Sequence, residues 1–278
     1  MFPKLQKKIE SGMSLLMSPK YEKKIISEIA KHNIAIRYCH LIDTLFYRQK
    51  GVPEPICTGM EQLEDALKFN KGVIILVPHY GCFGSVAYTL FCRGYKFHQL
   101  LTLYPQNIYR KINVIDSAVV RAKARCWSHP DVINIYYRPG HYMRQIYRAL
   151  KENGILIMYA DGSRGEKFDL FDFMGSKIRF STGPAEIAAR TGAALLPAFS
   201  ITDDGLHRIT IESPLFVKGK DAIRESTLAY VKLLERYVET YPGQWHTWMR
   251  LSKMKEGVIE PSVKTVQFDE FYSPADMK

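Results

Sequence analysis

The sequence contains no apolar run long enough to cross a membrane. Its longest runs, Val73 to Val77, Ile155 to Met158 and Ala193 to Leu196, have the length of strands. A membrane-spanning helix needs about 20 consecutive apolar residues. The N-terminus leads into no continuous apolar segment and no small-residue cleavage site, so we predict no secretory signal. We therefore expect a cytoplasmic protein that does not cross the membrane.

Cysteine is scarce as well. The 278 residues include five cysteines, which show neither CxxC pairing nor the spacing of metal ligands. We expect reduced thiols rather than a disulfide framework or a zinc site. His98, His129, His141 and His246 also lie at no metal-ligand spacing. The sequence therefore predicts no metal and no other cofactor.

Acidic residues are too few to balance the basic ones. Lys and Arg number 39 against 28 Asp and Glu, a net charge of +11. Basic residues concentrate in residues 1–50 and 110–151. Such an excess suits nucleic acid, an anionic membrane surface or an acidic protein that carries a substrate, or it is simply a solvated face. We expect no nucleic-acid partner, because no helix-turn-helix, zinc-finger or RNP-type signature accompanies the charge.

Residues 1–50 predict two helices. The first carries an apolar stripe with helical spacing and is interrupted at Ser18-Pro19; the stripe consists of Phe2, Leu5, Ile9, Met13 and Leu16. This amphipathic helix either lies on a membrane surface or docks on the core. The second helix, residues 21–47, has a stripe that we assign to core packing; it consists of Ile26, Ala30, Ile34, Tyr38, Leu41 and Leu45.

From about residue 51 the pattern is that of an α/β domain. Short apolar runs ended by Gly or Pro alternate with helical stretches, with a further strand over residues 207–212. The expected helices cover residues 82–92, 110–125, 141–151, 184–190 and 224–240. We predict a single domain, residues 51–252, with a mixed, mostly parallel central sheet flanked by helices. The amphipathic helices of residues 1–50 precede it, and residues 253–278 form a tail.

Two polar clusters directly follow apolar strands. His79 lies between the strand ending at Val77 and the helix that follows, and Asp161 comes two residues after the strand ending at Tyr159. Parallel sheets bind ligands at the carboxyl ends of their strands. A helix N-terminus disfavours a protonated imidazole, so His79 should be neutral and able to act as a base. If the two strands are neighbours, His79 and Asp161 face one cleft; separately, each residue could be only a cap or a turn former.

Several segments, in this order, resemble a known family. They are Gly72 to Phe83, Asp161 to Arg164, Ser181 to Pro184, Ala188 to Ala193 and Pro242 to Trp245. Residues 60–250 are thereby similar to the membrane-associated acyltransferases of glycerol phosphate, lysophospholipids and lipid A, in particular to the lipid A (lauroyl/myristoyl) branch. The resemblance implies transfer of a fatty acyl group from acyl carrier protein or acyl-CoA to a hydroxyl or amine of a lipid-like acceptor.

The resemblance also implies the roles of individual residues. His79 would be the general base, oriented in the family by a carboxylate five residues later, where this chain has Gly84. We expect Asp161 to replace that carboxylate, with Asp169 and Asp172 as weaker candidates. The alternatives are a catalytically silent relative that binds lipid or acyl carrier and, with less support, a Cys82 nucleophile.

Substrate contacts are expected from residues around these motifs. We assign Arg164, Ser163, Arg121, Arg125 and Gly81 to substrate binding. The arginines would clamp a phosphate, since a planar guanidinium matches phosphate oxygens, although each one could equally form a surface salt bridge. The expected partners are the thioester donor, the lipid-like acceptor and an anionic membrane surface. This places the protein peripherally on the cytoplasmic face of the inner membrane.

Overall fold

The structure, a computed structural model, describes residues 3–47, 52–101, 127–136, 142–161 and 167–255. Its first part contains two helices, α1 (Pro3–Met17) and α2 (Lys23–Phe46). Both confirm the helices predicted from the apolar spacing.

A seven-stranded sheet forms the centre of the described part of the chain, in the order β1-β9-β8-β2-β5-β3-β4. Its strands are β1 (Ile56–Thr58), β2 (Val73–Val77), β3 (Phe97–Leu101), β4 (Val132–Tyr136), β5 (Ile155–Tyr159), β8 (Ala194–Asp203) and β9 (Leu206–Ile211). Every neighbouring pair is parallel except β8 and β9. The predicted mixed, mostly parallel sheet is therefore confirmed. A separate antiparallel hairpin consists of β6 (Phe168–Phe173) and β7 (Ser176–Ser181).

Helices connect and cover these strands. They are α3 (Met60–Leu67), α4 (Gly84–Cys92), α5 (Tyr142–Lys151), α6 (Gly183–Thr191) and α7 (Ala222–Thr240). Two 3₁₀ segments, Pro242–Gln244 and His246–Lys253, follow α7. The predicted helix at residues 110–125 lies outside the described residues. Of the predicted tail, residues 253–255 are described, and the backbone N–H of Arg179 in β7 bonds the carbonyl of Met254 at 2.7 Å.

The core divides into two layers, one on each side of the sheet. Alternate residues of β2 point to opposite faces, as they must in a strand. Ile74 and Leu76 belong to a cluster shared with α1, α5, α6 and α7. Val73, Ile75 and Val77 belong to a second cluster, shared with α3 and α4. Because β2 is buried on both sides, it reads in the sequence as an unbroken apolar run.

The apolar stripe of α1 is docked on this core. Ile9 and Met13 are completely buried and Leu16 is 4% exposed, in the same cluster as the sheet. Of the two positions that the sequence left open for this helix, the structure shows docking. The stripe is therefore not available to a membrane surface in this structure.

The interior face of α2 differs from the expected one beyond Ala30. Ile26 and Ala30 are buried as predicted, but beyond them the buried residues are Asn33, Ile36, His40 and Thr44. Ile34, Tyr38, Leu41 and Leu45, predicted as core, are only half-buried. The physical reason is that this half of α2 packs on the segment after α7 and on the turn after β2. There Asn33 donates to the carbonyl of Trp245 at 2.7 Å, and His40 stacks on Phe83 with ring centroids 3.8 Å apart.

The docking of α1 can be tested with a substitution that should change the free energy of unfolding in opposite directions in a docked and in an exposed helix. A Cβ at Gly12 would overlap the carbonyl oxygen of Trp248. In an exposed helix, Gly→Ala stabilises by about 0.5–1 kcal/mol. We expect Gly12→Ala instead to lower the free energy of unfolding by about 1–3 kcal/mol, because the backbone has to shift. Denaturant unfolding measures the change, and exposed Ser11→Ala on the same helix is the control. A stabilised Gly12→Ala variant would contradict the docking.

Candidate active site

Strand register places His79 and Asp161 side by side. Neighbouring parallel strands β2 and β5 pair Val77 with Tyr159. His79 and Asp161 each lie two residues beyond these partners, so both leave the sheet at the same edge. His79 Nδ1 and Asp161 Oδ1 are 2.6 Å apart. The contact expected from the two strand-end motifs is present.

Four donors surround the Asp161 carboxylate, which is completely buried. Oδ1 accepts from the His79 backbone N–H at 2.9 Å as well as facing Nδ1. Oδ2 accepts from Trp245 Nε1 and from Thr247 Oγ1, both at 2.7 Å. A carboxylate offers about four lone-pair sites, so this one is saturated. Sequence reasoning missed Trp245 and Thr247 as parts of the site, although Trp245 lay in a motif that supported the resemblance.

The environment keeps Asp161 ionised. Burial alone would raise the pKa of its carboxyl, but the His79 imidazole and the hydrogen bonds outweigh burial and hold the pKa below its ordinary value. An ionised carboxylate only accepts hydrogen bonds, so Nδ1 of His79 carries a proton. The lone pair of neutral His79 is then on Nε2. The imidazole is 29% exposed, whereas the carboxylate behind it is fully enclosed.

The segment after α7 closes the site from the carboxyl end of the sheet. Tyr80 forms an isolated antiparallel bridge with Trp245, and the His246 N–H donates to the carbonyl of His79 at 2.7 Å. Aromatic rings flank the imidazole, with ring centroids of Phe83 at 5.0 Å and Tyr159 at 5.2 Å. His79 is thus held on both its backbone and its ring.

Gly84 occupies the position where the resemblance places an acid. It is buried at the start of α4, and a Cβ there would lie 3.2 Å from both His40 Cε1 and Tyr47 Cε2. A carboxylate side chain at residue 84 would have to displace these rings. In this chain α2 fills the space, and Asp161 is the carboxylate beside the imidazole.

Two arginines not expected from the sequence lie near the pair. Arg37 of α2 donates to the carbonyl of His246 and, at 2.9 Å, to Asn33 Oδ1. Burial, with the nearby charge of Arg250, lowers the pKa of Arg37 to about 10, while Asp161 acts in the opposite direction. Within the described ranges, neither arginine has a carboxylate at ion-pair distance.

Of the residues that the sequence assigns to substrate binding, Gly81 lies in the described part of the chain. Arg121, Arg125, Ser163 and Arg164 lie outside the described residues. Gly81 packs against the carbonyl of Ser200 with a φ of 54°, and its N–H donates to the Gln244 carbonyl at 2.8 Å.

The other acidic candidates and Cys82 have partners of their own. Asp169 pairs with Arg224, and Asp172 pairs with Lys177 at 2.9 Å. The Cys82 thiol donates to Asp43 at 3.2 Å. Burial raises the pKa of this thiol, which disfavours the thiolate that a nucleophile needs.

The saturated carboxylate predicts a pH-dependent loss of stability in Asp161→Asn. An amide turns one accepting oxygen into an NH₂ group that faces two donors, so we expect a cost of about 3 kcal/mol at pH 7. A carboxyl group whose pKa is lower in the folded than in the unfolded protein stabilises the fold at pH values above its ordinary pKa of 3.8. This stabilisation is lost as the pH falls through the pKa of the folded state.

Thermal unfolding between pH 7 and pH 3.5 tests this expectation. The difference between the wild type and Asp161→Asn should be full at neutral pH and shrink below about pH 4. Asp172→Asn, which alters an exposed ion pair, should cost no more than about 0.5 kcal/mol. A deficit in Asp161→Asn that does not change with pH would contradict the ionised carboxylate.

Comparisons with known proteins find relatives of this chain among acyltransferases. Among the described helices, none has the length and apolar character needed to cross a bilayer. The chain is 22% identical over 190 residues to the phosphatidylinositol mannoside acyltransferase of Mycobacterium tuberculosis, in strains CDC 1551 and H37Rv. The match covers 68% of this chain and 57% of that protein, so the chain spans little more than half the length of these relatives.

A solved structure is also similar, the 1-acyl-sn-glycerophosphate acyltransferase of Thermotoga maritima. It has 14% sequence identity and a TM-score of 0.42, and the alignment covers 87% of this chain and 97% of that one. Residues 21–253, which include His79, Asp161 and the segment that closes over them, match the family described as bacterial lipid A biosynthesis acyltransferase. The chain belongs to this family of acyltransferases.

Proposed function

We propose that this protein moves a fatty acyl group from a thioester donor to a hydroxyl or amine of a lipid-like acceptor, with His79 as general base. One observation carries the proposal. Asp161 fixes the Nδ1–H tautomer of His79 at 2.6 Å, so that Nε2 is the free base on a partly exposed ring. This is the orientation by which a carboxylate prepares an imidazole to take a proton.

The reaction then proceeds by two proton movements at one nitrogen. Nε2 of His79 takes the proton of the acceptor group as its oxygen or nitrogen attacks the thioester carbonyl carbon. The C–S bond of the tetrahedral intermediate breaks, and the thiolate leaves with the proton that Nε2 returns. Asp161 stays ionised and stabilises the imidazolium that exists between these steps. No covalent acyl-enzyme is required.

The contact of Asp161 with His79 favours an enzyme over a silent relative. Without an orienting acid, the His79 imidazole would have no fixed tautomer, and Gly84 would support a binding protein. Acyl carrier protein and coenzyme A both present a phosphopantetheine thioester, which agrees with the basic charge of the chain. The proposed donor is therefore the thioester of either acyl carrier protein or coenzyme A.

For the phosphate of the donor or acceptor we propose Arg37 and Arg250. The charges of Arg250 and Asp161 both act on Arg37, and Arg37 holds the backbone of His246, which in turn holds the backbone of His79. An anion bound there would be close to the base.

For the membrane we propose the outer face of α2 in place of α1. Ala35, Cys39, Ile42 and Phe46 are exposed at helical spacing, with Ile42 51% and Phe46 47% exposed. An apolar stripe on a surface helix suits peripheral attachment. In this proposal the acceptor lipid would lie next to the helix that packs against the site, and the protein would be attached to the cytoplasmic face of the inner membrane.

Activity of single and double variants tests the assignment of the base. Release of free thiol from acyl carrier protein and acyl-CoA donors, with a membrane lipid extract as acceptor, measures the reaction. We expect His79→Ala and Asp161→Asn each to lower kcat/KM by about 10⁴-fold. The double variant should be little worse than either, because residues that act as one unit are not additive.

Asp172→Asn is the matched control, since among the described residues the Asp172 carboxylate forms its ion pair with exposed Lys177. Its activity should equal that of the wild type. Full activity of His79→Ala would refute the general base. A wild-type protein that binds both donors and releases no thiol with any lipid fraction would establish the silent relative.

The anion site predicts a separation of KM from kcat. We expect Arg250→Gln to raise KM for the phosphate-bearing substrate about 10-fold, the worth of one charge-assisted contact, with kcat within about 3-fold of the wild type. Arg236→Gln, which removes an exposed arginine paired with Glu212 at 3.0 Å, is the control. A fall in kcat with unchanged KM would place Arg250 in the chemical step instead.

A further inference from the structure

A second polar cluster lies at the junction of α2, the turn after His79 and β9. It brings together Asp43, Cys82 and His207, one from each of these elements. Asp43 Oδ2 is 3.2 Å from Cys82 Sγ and 3.1 Å from His207 Nε2. The three donor atoms all lie within 4.8 Å of one another. The Cys82 residue is fully buried, and the Asp43 and His207 side chains are 30% and 15% exposed.

Two of these distances are within a few tenths of an ångström of the edges of a zinc coordination polyhedron, and the third edge, between Cys82 Sγ and His207 Nε2, is no longer than 4.8 Å. Ligand atoms about 2.0–2.3 Å from a tetrahedral zinc ion lie about 3.3–3.5 Å apart. The cluster therefore needs only small side-chain movements to enclose an ion. The partial exposure of Asp43 and His207 leaves a path by which an ion and a water molecule could enter.

The second nitrogen of His207 is held as metal-binding histidines require. Nδ1 lies 3.2 Å from Thr202 Oγ1, which also accepts the backbone N–H of Cys82 at 3.2 Å. In the metal-free site Nε2–H of His207 donates to the Asp43 carboxylate at 3.1 Å. A metal ion would take the place of this proton, which then moves to Nδ1, where Thr202 Oγ1 can accept it, and the Nε2 lone pair is left for the ion. Such an outer contact fixes the tautomer and the ring plane of a ligating histidine.

We propose that Asp43, Cys82 and His207 form a zinc site, with a water molecule as the fourth ligand. A thiolate, an imidazole and a carboxylate together suit Zn²⁺ and exclude Mg²⁺ and Ca²⁺, which prefer oxygen ligands. Binding forms the Zn–S, Zn–N and Zn–O bonds, and the thiol proton of Cys82 leaves to solvent. The two negative ligands neutralise the ion.

Such an ion would fasten α2 to the sheet beside the candidate active site. Cys82 is three residues from His79, and Phe83 between them stacks on His40 of α2 with ring centroids 3.8 Å apart. The bound ion would therefore position α2 relative to the turn that bears His79, and it would not take part in the acyl-transfer step. The zinc site does not depend on the proposed function, because its residues do not contact the His79–Asp161 pair among the described hydrogen bonds.

Metal titration of the purified full chain tests the proposal. After treatment with a chelator, the protein is titrated with Zn²⁺ in competition with a chromophoric chelator, and separately with Co²⁺. We expect one equivalent of each metal, a rise of Tm with Zn²⁺, and for Co²⁺ the thiolate charge-transfer absorption that reports a sulfur ligand.

Nearly isosteric variants assign the ligands. Cys82→Ser, Asp43→Asn and His207→Gln should each weaken zinc binding by more than about 100-fold, beyond the effect of losing an outer-shell contact. Cys57→Ser and Cys92→Ser are the controls and should bind as the wild type does. The Co²⁺ spectrum of the wild type needs no variant, so a variant that fails to fold leaves the test intact. Absence of the charge-transfer band, or equal binding by Cys82→Ser, would overturn the zinc site.

Discussion

The constraint on which this structure depends is the burial of one ionised carboxylate. A charge as enclosed as that of Asp161 is tolerated only when hydrogen bonds replace its water. Two donors come from His79 itself and two from Trp245 and Thr247. The pairing of Asp161 with His79 and the path of the chain after α7 therefore depend on each other. The same saturation that stabilises Asp161 fixes the proton of His79 on Nδ1.

The N-terminal helices belong to this solution, because they hold the segment that carries Trp245. Asn33 of α2 donates to the carbonyls of Gly243 and Trp245 at 2.8 Å and 2.7 Å. On α1, Gly12 lets the helix approach the backbone of Trp248. This explains why α1 buries its apolar stripe and α2 turns polar residues inward. A helix that lay on a membrane by that stripe would leave the segment, and so Asp161, without support.

The sequence was most informative where a structural signal is local. Buried parallel strands appear as unbroken apolar runs, so β2 and β5 were predicted, and with them the strand-end positions of His79 and Asp161. Their contact needed one further fact, the β2–β5 pairing, which periodicity does not contain. Trp245 and Thr247 are separated from Asp161 by 84 and 86 residues. Contacts that depend on tertiary structure at such separations, like the grouping of Asp43 with Cys82 and His207, leave no mark in spacing.

Gly84 shows how the acid and the packing of α2 depend on each other. A carboxylate at residue 84 would project from the first turn of α4 into the space where His40 and Tyr47 lie, each 3.2 Å from the position of a Cβ. An acid at that position would require the His40 and Tyr47 side chains to shift. With the carboxylate at the end of β5, position 84 can be glycine and α2 can close over the turn that bears His79. The carboxylate beside His79 thus comes from Asp161, two residues beyond the end of β5, and α2 occupies the space next to position 84.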